Sequence, residues 1–322
     1  MTYWTASDIP SQRRRTAVVT GAGGLGFEDA LALARAGAHV TIAGRNPSKG
    51  AAAVNQIRQR VPGAKVTFGL LDLASLDSIR SFVQGLRRSH DSLDLLINNA
   101  AVMAPPRRQV TADGFELQLG TNYLGHFALT AQLLPLLRNG KQARVVTLSS
   151  VAAREGVIDF EDLQAQGVYK PMRAYGQSKL ACLMFALELQ RRSDVAGWGI
   201  ESIAAHPGIS RTDLLPNGAG AWSVGGFLRR FMWFLFQPAG QGALPTLFAA
   251  TSPQARGGAY YGPDRLYEMR GYPSVAAIPV QALDAAAAAR LWTVSEKLTG
   301  TLFSDGPKPS GTLLNFRELG AL

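Results

Sequence analysis

A glycine-rich turn constrains the fold of this chain more than any other feature. Residues 16–20 read Thr-Ala-Val-Val-Thr, a β-branched apolar run that predicts a buried strand. Gly21, Gly23 and Gly26 follow in the order G-x-G-x-x-G, and residues 27–36 carry Ala and Leu at helical spacing. A purely structural turn is the alternative. A strand, a glycine turn and a helix start in this order favour a dinucleotide-binding unit. In such a unit, glycine lets the backbone approach a pyrophosphate, and the helix N-terminus supplies N–H donors.

Strand and helix patterns alternate along most of the chain. Apolar runs predict five more strands, at residues 38–43, 66–71, 93–97, 144–148 and 200–205. Helical patterns cover 27–36, a helix capped by Ser75 and ending at about Arg88, a long region at about 111–137, a helix running through 175–179 to about Arg192, and a terminal helix at 280–299. This alternation predicts an α/β fold, a doubly wound parallel sheet of the Rossmann type with helices on both faces. Ligands of such sheets bind at the carboxyl ends of the strands.

Composition favours one large globular domain. The 322 residues are 47% hydrophobic and 17% charged, which allows a sizeable core. We expect one domain at residues 14–300, an N-terminal extension at 1–13 and a C-terminal extension at 301–322. The single Cys182 excludes an internal disulfide, and only 4 histidines argue against a metal site. No stretch approaches the roughly 20 apolar residues of a membrane span and no secretory signal is evident, so we expect a cytoplasmic protein.

The net charge of +10 raises the question of a nucleic-acid partner. The basic residues are scattered, mostly as Arg pairs such as Arg107-Arg108, Arg191-Arg192 and Arg229-Arg230, and do not form one stripe. We therefore predict no nucleic-acid partner. An anionic cofactor is a simpler reason for part of the charge.

The end of the second predicted strand indicates which cofactor binds. An NAD-binding unit usually carries an acidic residue here, which binds the ribose diol. This chain reads Gly44-Arg45-Asn46-Pro47-Ser48-Lys49 instead, with two cations and no acid. The pattern favours a 2′-phosphate and hence NADP(H). The alternative is that Arg45 and Lys49 only begin a solvated helix.

The segment Tyr175-Gly-Gln-Ser-Lys179 is the strongest candidate for catalysis. Positions four apart on a helix lie on one face, so Tyr175 and Lys179 are predicted to point the same way. A free phenol has a pKa near 10, and a nearby ammonium favours its ionised form. Such a pair can transfer a proton near neutrality. An exposed helix pair without function is the alternative.

The residues taken together resemble the short-chain dehydrogenases/reductases over about residues 14–262. The matching features, in chain order, are the glycine turn, Asp72-Leu73, Asn98-Asn99-Ala100, Asn122, Ser150, Tyr175-x-x-x-Lys179, and Pro207-Gly208 followed by Thr212. The resemblance implies that Tyr175 exchanges a proton with the substrate and that Ser150 bonds the substrate oxygen. It also implies that Lys179 makes Tyr175 a stronger acid and binds the nicotinamide ribose, and that Asn122 holds a water in a proton relay.

The same resemblance implies the cofactor contacts. Asp72 is expected at the adenine, Asn99 near the ribose, and Ile209 and Thr212 at the carboxamide. The expected cofactor-binding residues are Gly21, Leu25, Gly26, Arg45, Asn46, Lys49, Asp72, Leu73, Asn99, Ala100, Tyr175, Lys179, Pro207, Gly208, Ile209 and Thr212.

The sequence departs from the family pattern at three places. The glycine turn from Thr20 to Gly26 is one residue shorter than the usual Thr-Gly-x-x-x-Gly-x-Gly, and Ala101 replaces the usual glycine of Asn-Asn-Ala-Gly. Ser150 and Tyr175 are 25 residues apart, a longer gap than usual. The insert at 157–163 resembles that of retinol-dehydrogenase-like and protochlorophyllide-reductase-like members, which implies a bulky hydrophobic substrate. Ser149 is the rival of Ser150, since neighbours on a strand face opposite sides.

An apolar segment follows the expected cofactor residues. Residues 222–236 read Trp-Ser-Val-Gly-Gly-Phe-Leu-Arg-Arg-Phe-Met-Trp-Phe-Leu-Phe. A lid over an apolar substrate, within a substrate-binding region at about 210–240, is the favoured interpretation. A buried or dimer-packing helix and a membrane-surface helix are the alternatives.

These features together favour an NADP(H)-dependent oxidoreductase that interconverts a carbonyl and an alcohol on a bulky apolar small molecule. We expect a homo-oligomer, a dimer or tetramer, without a favoured membrane contact. The alternative is a non-catalytic dinucleotide-binding sensor or scaffold on the same fold. The presence of Asn122, Ser150, Tyr175 and Lys179 together argues against that alternative.

Overall fold

The computed structural model describes residues 3–210 and 237–303. Three predictions lie outside these residues: the carboxamide contact of Thr212, the lid at 222–236 and most of the C-terminal extension. Eight strands of the described part form one sheet in the order β3-β2-β1-β4-β5-β6-β7-β8. Their bounds are β1 (Thr16–Thr20), β2 (His39–Gly44), β3 (Val66–Leu70), β4 (Leu95–Asn98), β5 (Arg144–Leu148), β6 (Glu201–Ala205), β7 (Tyr260–Arg265) and β8 (Arg270–Val275).

Helices connect and cover these strands. Their bounds are α1 (Gly24–Arg35), α2 (Pro47–Arg60), α3 (Leu76–Ser89), α4 (Gly125–Arg138), α5 (Pro171–Ala196), α6 (Ala239–Gly242), α7 (Leu244–Thr251) and α8 (Ala285–Thr299). A π-helical turn spans Leu119–Leu124, and short 3-10 helices span Ala6–Asp8, Val151–Glu155 and Val280–Leu283. Ser75 caps α3 as predicted, since its side chain accepts a hydrogen bond from Ser78 N.

The sheet is buried on both faces, as a doubly wound fold requires. Along β1, Val18 belongs to the core under α3, α4, α5 and α8, whereas Ala17 and Val19 belong to the core under α1, α2 and α7. Strands β1 to β7 run parallel, and β8 pairs antiparallel with β7. The α/β Rossmann-type fold predicted from the sequence is confirmed. The antiparallel β7–β8 hairpin was not predicted, because Pro263, Pro273 and two glycines interrupt its apolar pattern.

The long helical region predicted at about 111–137 begins later than expected. A turn follows Thr111, with Gly114 at a φ of 85°, and Val110 forms an antiparallel bridge with Glu116. Helical backbone starts only at residue 117 and passes through the π-helical turn, which contains Asn122, into α4. The prediction of helix at 111–116 was therefore wrong. The left-handed glycine and a bond from Phe115 N to the Thr111 hydroxyl, at 3.2 Å, stabilise a turn there instead.

The chain crosses between the two sides of the sheet at β1 and β4, whose carboxyl ends form a crevice. Most of the predicted site residues follow the strands β1 to β6, so the fold collects them at this edge. Among the described residues, no helix is long and apolar enough to cross a membrane, and no cluster of His, Cys, Asp or Glu could hold a metal ion.

Candidate active site

A cavity of about 600 Å³ lies at the carboxyl edge of the sheet. This volume is in the range of small-molecule and cofactor sites. Predicted site residues that line it are Gly21, Leu25, Arg45, Asn46, Lys49, Asp72, Leu73, Asn99, Ala100, Ser150, Tyr175, Lys179, Pro207, Gly208 and Ile209. Gly26 and Asn122 are not among the residues that line it. The structure therefore brings almost all of the described candidates together in one space.

The glycine turn packs against the carboxyl ends of the two strands next to β1, which are β2 and β4. Gly21 has a φ of 97°, and its N–H donates to Ala43 O at 2.7 Å. Asn99 Nδ2 donates to Thr20 O at 2.7 Å. A Cβ on Gly26 would overlap Gly21 O and Asn99 Nδ2, so Gly26 lets the turn fold over Asn99. The shortened turn thus places the N-terminus of α1, which begins at Gly24, at the cavity.

A buried hydrogen-bond chain connects this turn to the π-helical segment. His126 Nδ1 lies 2.8 Å from Asn122 O, which can only accept, so Nδ1 carries the proton. His126 Nε2 then accepts from the Thr20 hydroxyl at 2.9 Å, and that hydroxyl accepts from Asn99 N and Ala100 N, both at 2.9 Å. Burial lowers the pKa of His126 to about 4, so the imidazole is neutral at physiological pH.

Asn122 is held on every side. Its Oδ1 accepts from Val102 N at 2.8 Å, and its Nδ2 donates to Val102 O and to Ser178 Oγ, both at 3.0 Å. Its main-chain oxygen accepts from His126 and from the buried thiol of Cys182 at 3.2 Å. Asn122 thus joins the cavity wall at Val102 to α5. Its role in a proton relay stays a prediction.

Ser149 and Ser150 differ in what their hydroxyls are free to do. Ser149 is buried, and its hydroxyl donates to Lys179 O at 2.7 Å. Ser150 is half-buried and caps the 3-10 helix that follows it, accepting from Ala152 N at 3.2 Å. The Ser150 hydroxyl keeps its proton available, so the geometry favours Ser150 as the residue that meets a substrate oxygen.

Tyr175 and Lys179 lie one turn apart on α5, and both are buried at the cavity, with 6% and 4% exposure. Lys179 Nζ donates to Leu148 O at 3.0 Å and lies 6.0 Å from the centre of the Tyr175 ring. A buried ammonium with one main-chain acceptor keeps two further donors for other groups in the cavity. Lys179 therefore places a positive charge close to the Tyr175 ring at the cavity.

The far end of the cavity carries positive charge. Arg45 and Lys49 are exposed at its rim, where the chain leaves β2 for α2. The Asn46 side chain accepts from Lys49 N at 2.9 Å and caps α2, so its oxygen is already engaged. Asp72 Oδ1 accepts from Ala74 N at 3.0 Å, which fixes the turn after β3.

These observations fit an anionic dinucleotide. Thr121 lines the cavity, and its buried hydroxyl has no hydrogen-bond partner among the described residues. The N-terminus of α1 and the two rim cations suit phosphate groups. The cavity therefore has a built place for a nicotinamide dinucleotide.

The turn after β6, where the family resemblance predicts the nicotinamide, bounds another part of the cavity. Gly208 has a φ of 62°, and Ile209 N donates to Met269 O at 2.8 Å. Gln237 Nε2 donates to Pro207 O at 2.7 Å. The hairpin of β7 and β8 and the chain that re-enters at Gln237 thus hold this turn from two sides.

An apolar wall completes the cavity and was missed by sequence reasoning. It consists of Val102, Met103, Val151, Ala152 and Met172. The spacing of Met172, three residues before Tyr175 on α5, could have indicated that it shares the catalytic face. The other residues lie on loops, whose course the sequence pattern does not give.

Known proteins match this chain over most of its length. Residues 15–219 match the family described as short chain dehydrogenase. The mouse protein named retinol dehydrogenase 13 is 40% identical over 303 residues, which cover 92% of this chain and 87% of its own. The human protein named polyprenol dehydrogenase is 38% identical over 300 residues, covering 91% and 88%.

A solved structure agrees with the fold. An uncharacterized protein from Mycobacterium paratuberculosis is 41% identical, superposes with a TM-score of 0.78, and covers 94% of this chain and 100% of its own. With the family match, the relatives and the cavity all in agreement, the chain belongs to the short-chain dehydrogenases/reductases, in the retinol-dehydrogenase-like branch, and is an oxidoreductase that uses a nicotinamide dinucleotide and acts on alcohol and carbonyl groups.

Proposed function

We propose that the protein is an NADP(H)-dependent oxidoreductase for a bulky apolar alcohol or its carbonyl, with Tyr175 as the proton donor and acceptor. One observation carries the proposal: Ser150, Tyr175 and Lys179 line the same cavity as an apolar wall and a cationic rim. The three residues suit the proton transfer, the apolar wall suits the substrate, and the cationic rim suits the phosphate groups of the cofactor.

Each residue has a separate task in this proposal. A nicotinamide dinucleotide in this cavity would supply the hydride chemistry at the substrate carbon. Tyr175 gives or takes the proton at the substrate oxygen, and Ser150 hydrogen-bonds that oxygen. Lys179 is held by the bond from its Nζ to Leu148 O and by the bond from the Ser149 hydroxyl to the Lys179 main-chain oxygen, and its ammonium lies on the same side of α5 as Tyr175.

Two observations support a bulky apolar substrate. Met103, Val151 and Met172 line the same cavity as Ser150 and carry flexible or branched apolar side chains, and Met side chains adapt to irregular ligands. The relatives are named for retinol and polyprenol, both apolar alcohols. The insert at 157–163 packs into the core through Leu163 and Ile158.

The preference for NADP(H) is supported by the rim after β2. No acidic residue occurs between Gly44 and Lys49, and in the described part of the chain no carboxylate pairs with Arg45. The guanidinium is therefore available to a 2′-phosphate. We also propose that the protein is cytoplasmic and forms a homo-oligomer. Sedimentation of the purified protein tests the oligomeric state.

The test is a panel of aldehydes and ketones, from short to long and apolar, followed with NADPH at the nicotinamide absorbance. We expect turnover that improves with apolar length. Tyr175→Phe keeps the ring and removes the transferable proton, and it should lower kcat by at least the roughly 10²- to 10⁴-fold typical of acid–base catalysis, with NADPH affinity nearly unchanged.

The matched control is Tyr267→Phe, which removes a phenol that is 87% exposed on the β7–β8 hairpin. It should leave turnover unchanged. Substantial activity in Tyr175→Phe would refute the assignment of the proton to this residue. Binding of NADPH without turnover of any compound would favour the dinucleotide sensor instead.

A further inference from the structure

The tip of the β7–β8 hairpin has an unusual backbone. Leu266, Tyr267 and Glu268 are consecutive and non-glycine, yet their φ values are 50°, 54° and 65°. Such left-handed residues are strained, and they persist only where surrounding contacts hold them. The contacts of Glu268 show what holds this tip.

The Glu268 carboxylate is bonded by three parts of the chain. Its Oε2 accepts from Arg154 at 2.6 Å and lies 3.0 Å from His206 Nε2, and its Oε1 accepts from Ala277 N at 2.9 Å. Arg154 also donates to Tyr267 O at 3.1 Å. Burial favours the protonated acid, but the bonds from His206 and Ala277 and the Arg154 charge lower the pKa of Glu268 to about 2, so it is ionised.

His206 is fixed in one orientation and one tautomer. It is 1% exposed, its Nε2 lies 3.0 Å from the Glu268 carboxylate, which can only accept, and its Nδ1 faces Gly208 N–H at the longer distance of 3.3 Å, so the two contacts together put the proton on Nε2. A Cβ on Gly262 would overlap the imidazole, so the ring fills the space that this glycine leaves. Burial lowers the pKa of His206, which keeps it neutral and able to accept at Nδ1.

The Glu268 carboxylate is hydrogen-bonded to two segments that border the cavity, one through Arg154 and one through His206. Arg154 lies on the 3-10 helix Val151–Glu155, which starts directly after Ser150. His206 leads into the turn of Pro207, Gly208 and Ile209, which lines the cavity. A Cβ on Gly208 would overlap Met269 O, so that turn and the hairpin are in close contact.

We propose that Glu268 is a positioning residue of the active site. It fixes the Nε2–H tautomer of His206 and anchors Arg154, and it thereby sets the spacing between the turn at Pro207–Ile209 and the Ser150 helix. This spacing is where the nicotinamide end of the dinucleotide has to fit. The inference rests on the proposed function, because it assigns the hairpin to the same cavity.

The first test reads the tautomer directly, without turnover. The imidazole ¹⁵N signals of the full-length protein are recorded for wild type, Glu268→Gln and Glu268→Ala, and His206→Asn assigns the His206 signals. A glutamine oxygen still accepts from Nε2–H, so wild type and Glu268→Gln should show a single Nε2–H tautomer. Glu268→Ala should show both tautomers.

The second test measures the NADPH dissociation constant and the split between kcat and KM. Glu268→Ala should weaken NADPH binding and lower kcat/KM by about 10- to 100-fold, the range that small misplacements of reacting groups produce. Glu268→Gln should recover most of this loss. Glu201→Ala is the matched control, because it removes a carboxylate paired with Arg144 at the opposite end of the sheet.

Three results would overturn the inference. In the first, Glu268→Ala keeps a single Nε2–H tautomer. In the second, Glu268→Ala shows both tautomers but its NADPH affinity and kcat/KM equal those of wild type. In the third, Glu268→Gln is as impaired as Glu268→Ala. If Glu268→Ala does not fold, Glu268→Asp answers the same question, since its shorter carboxylate cannot reach both His206 and Ala277 N. Should wild type bind NADPH but reduce nothing, the proposed function fails, and the tautomer and affinity measurements still decide the role of Glu268.

Discussion

Replacement of Arg45 by Asp should remove the preference for NADPH over NADH. Arg45 follows the last residue of β2 at the cavity rim, exposed and without a carboxylate partner in the described part of the chain. A hydrogen bond to a charged group contributes about 1.5–3 kcal/mol. Because water screens an exposed site, the lower value applies, and at 1.4 kcal/mol per tenfold it gives about a tenfold preference. An aspartate at this place repels the phosphate and can bond the ribose diol, so the ratio should fall by about 100-fold and invert.

The assay compares kcat/KM for NADPH and NADH in wild type, Arg45→Asp, Arg45→Gln and Lys49→Gln, at low and high salt. Arg45→Gln should lower the preference without inverting it, and Lys49→Gln should have the smaller effect of a second, flexible cation. High salt should reduce the preference in wild type. The control is Lys65→Gln, which removes one exposed charge directly before β3, at the end of that strand away from the cavity. It should leave the ratio of kcat/KM for NADPH to that for NADH unchanged.

A wild-type preference for NADH would refute this reasoning about Arg45. So would an unchanged ratio in Arg45→Asp with normal folding. In either case the short glycine turn would place the adenosine ribose away from Arg45, and Arg45 and Lys49 would not bind a 2′-phosphate.

Two further predictions concern stability. Asp29 on α1 is fully buried, and neither of its carboxylate oxygens has a hydrogen-bond partner within residues 3–210 and 237–303. Burial, aided by the Glu28 charge, raises the pKa of Asp29, so its contribution to stability falls as the pH rises above the pKa that it has in the unfolded chain. Asp29→Ala should therefore stabilise the protein by about 1–3 kcal/mol in urea unfolding at pH 7.5 and by less at pH 5, and a loss of stability at pH 7.5 would contradict this. Burial lowers the pKa of His126 from 6.5 to about 4, so the stability that the neutral imidazole contributes is complete above pH 6.5 and is lost as the pH falls toward 4. The total loss is about 3 kcal/mol at most, and His126→Gln should flatten this pH dependence, whereas an unchanged slope would assign it to other groups.

The sequence by itself determined the strands around the site. Residues 16–20 and 144–148 were predicted at the bounds that the structure shows, because each run of apolar residues ends abruptly at glycine or serine. The polar residues after these runs lie at the carboxyl edge for a topological reason: parallel strands end on the same side of the sheet. The placement of Ser150, Tyr175 and Lys179 in one cavity follows from this local information and the helical spacing of α5.

Only the tertiary structure decided how those residues are held. The π-helical turn at Asn122 and the separate tasks of Ser149 and Ser150 depend on contacts with α5, which no neighbouring residue reveals. The apolar wall depends on the course of two loops. Glu268 lies 62 residues after His206, and its carboxylate reaches the imidazole because β7 pairs with β6 and the chain turns directly after β7. Local propensity sets which segments form strands and helices, but a contact across such a distance is fixed by how the finished elements pack.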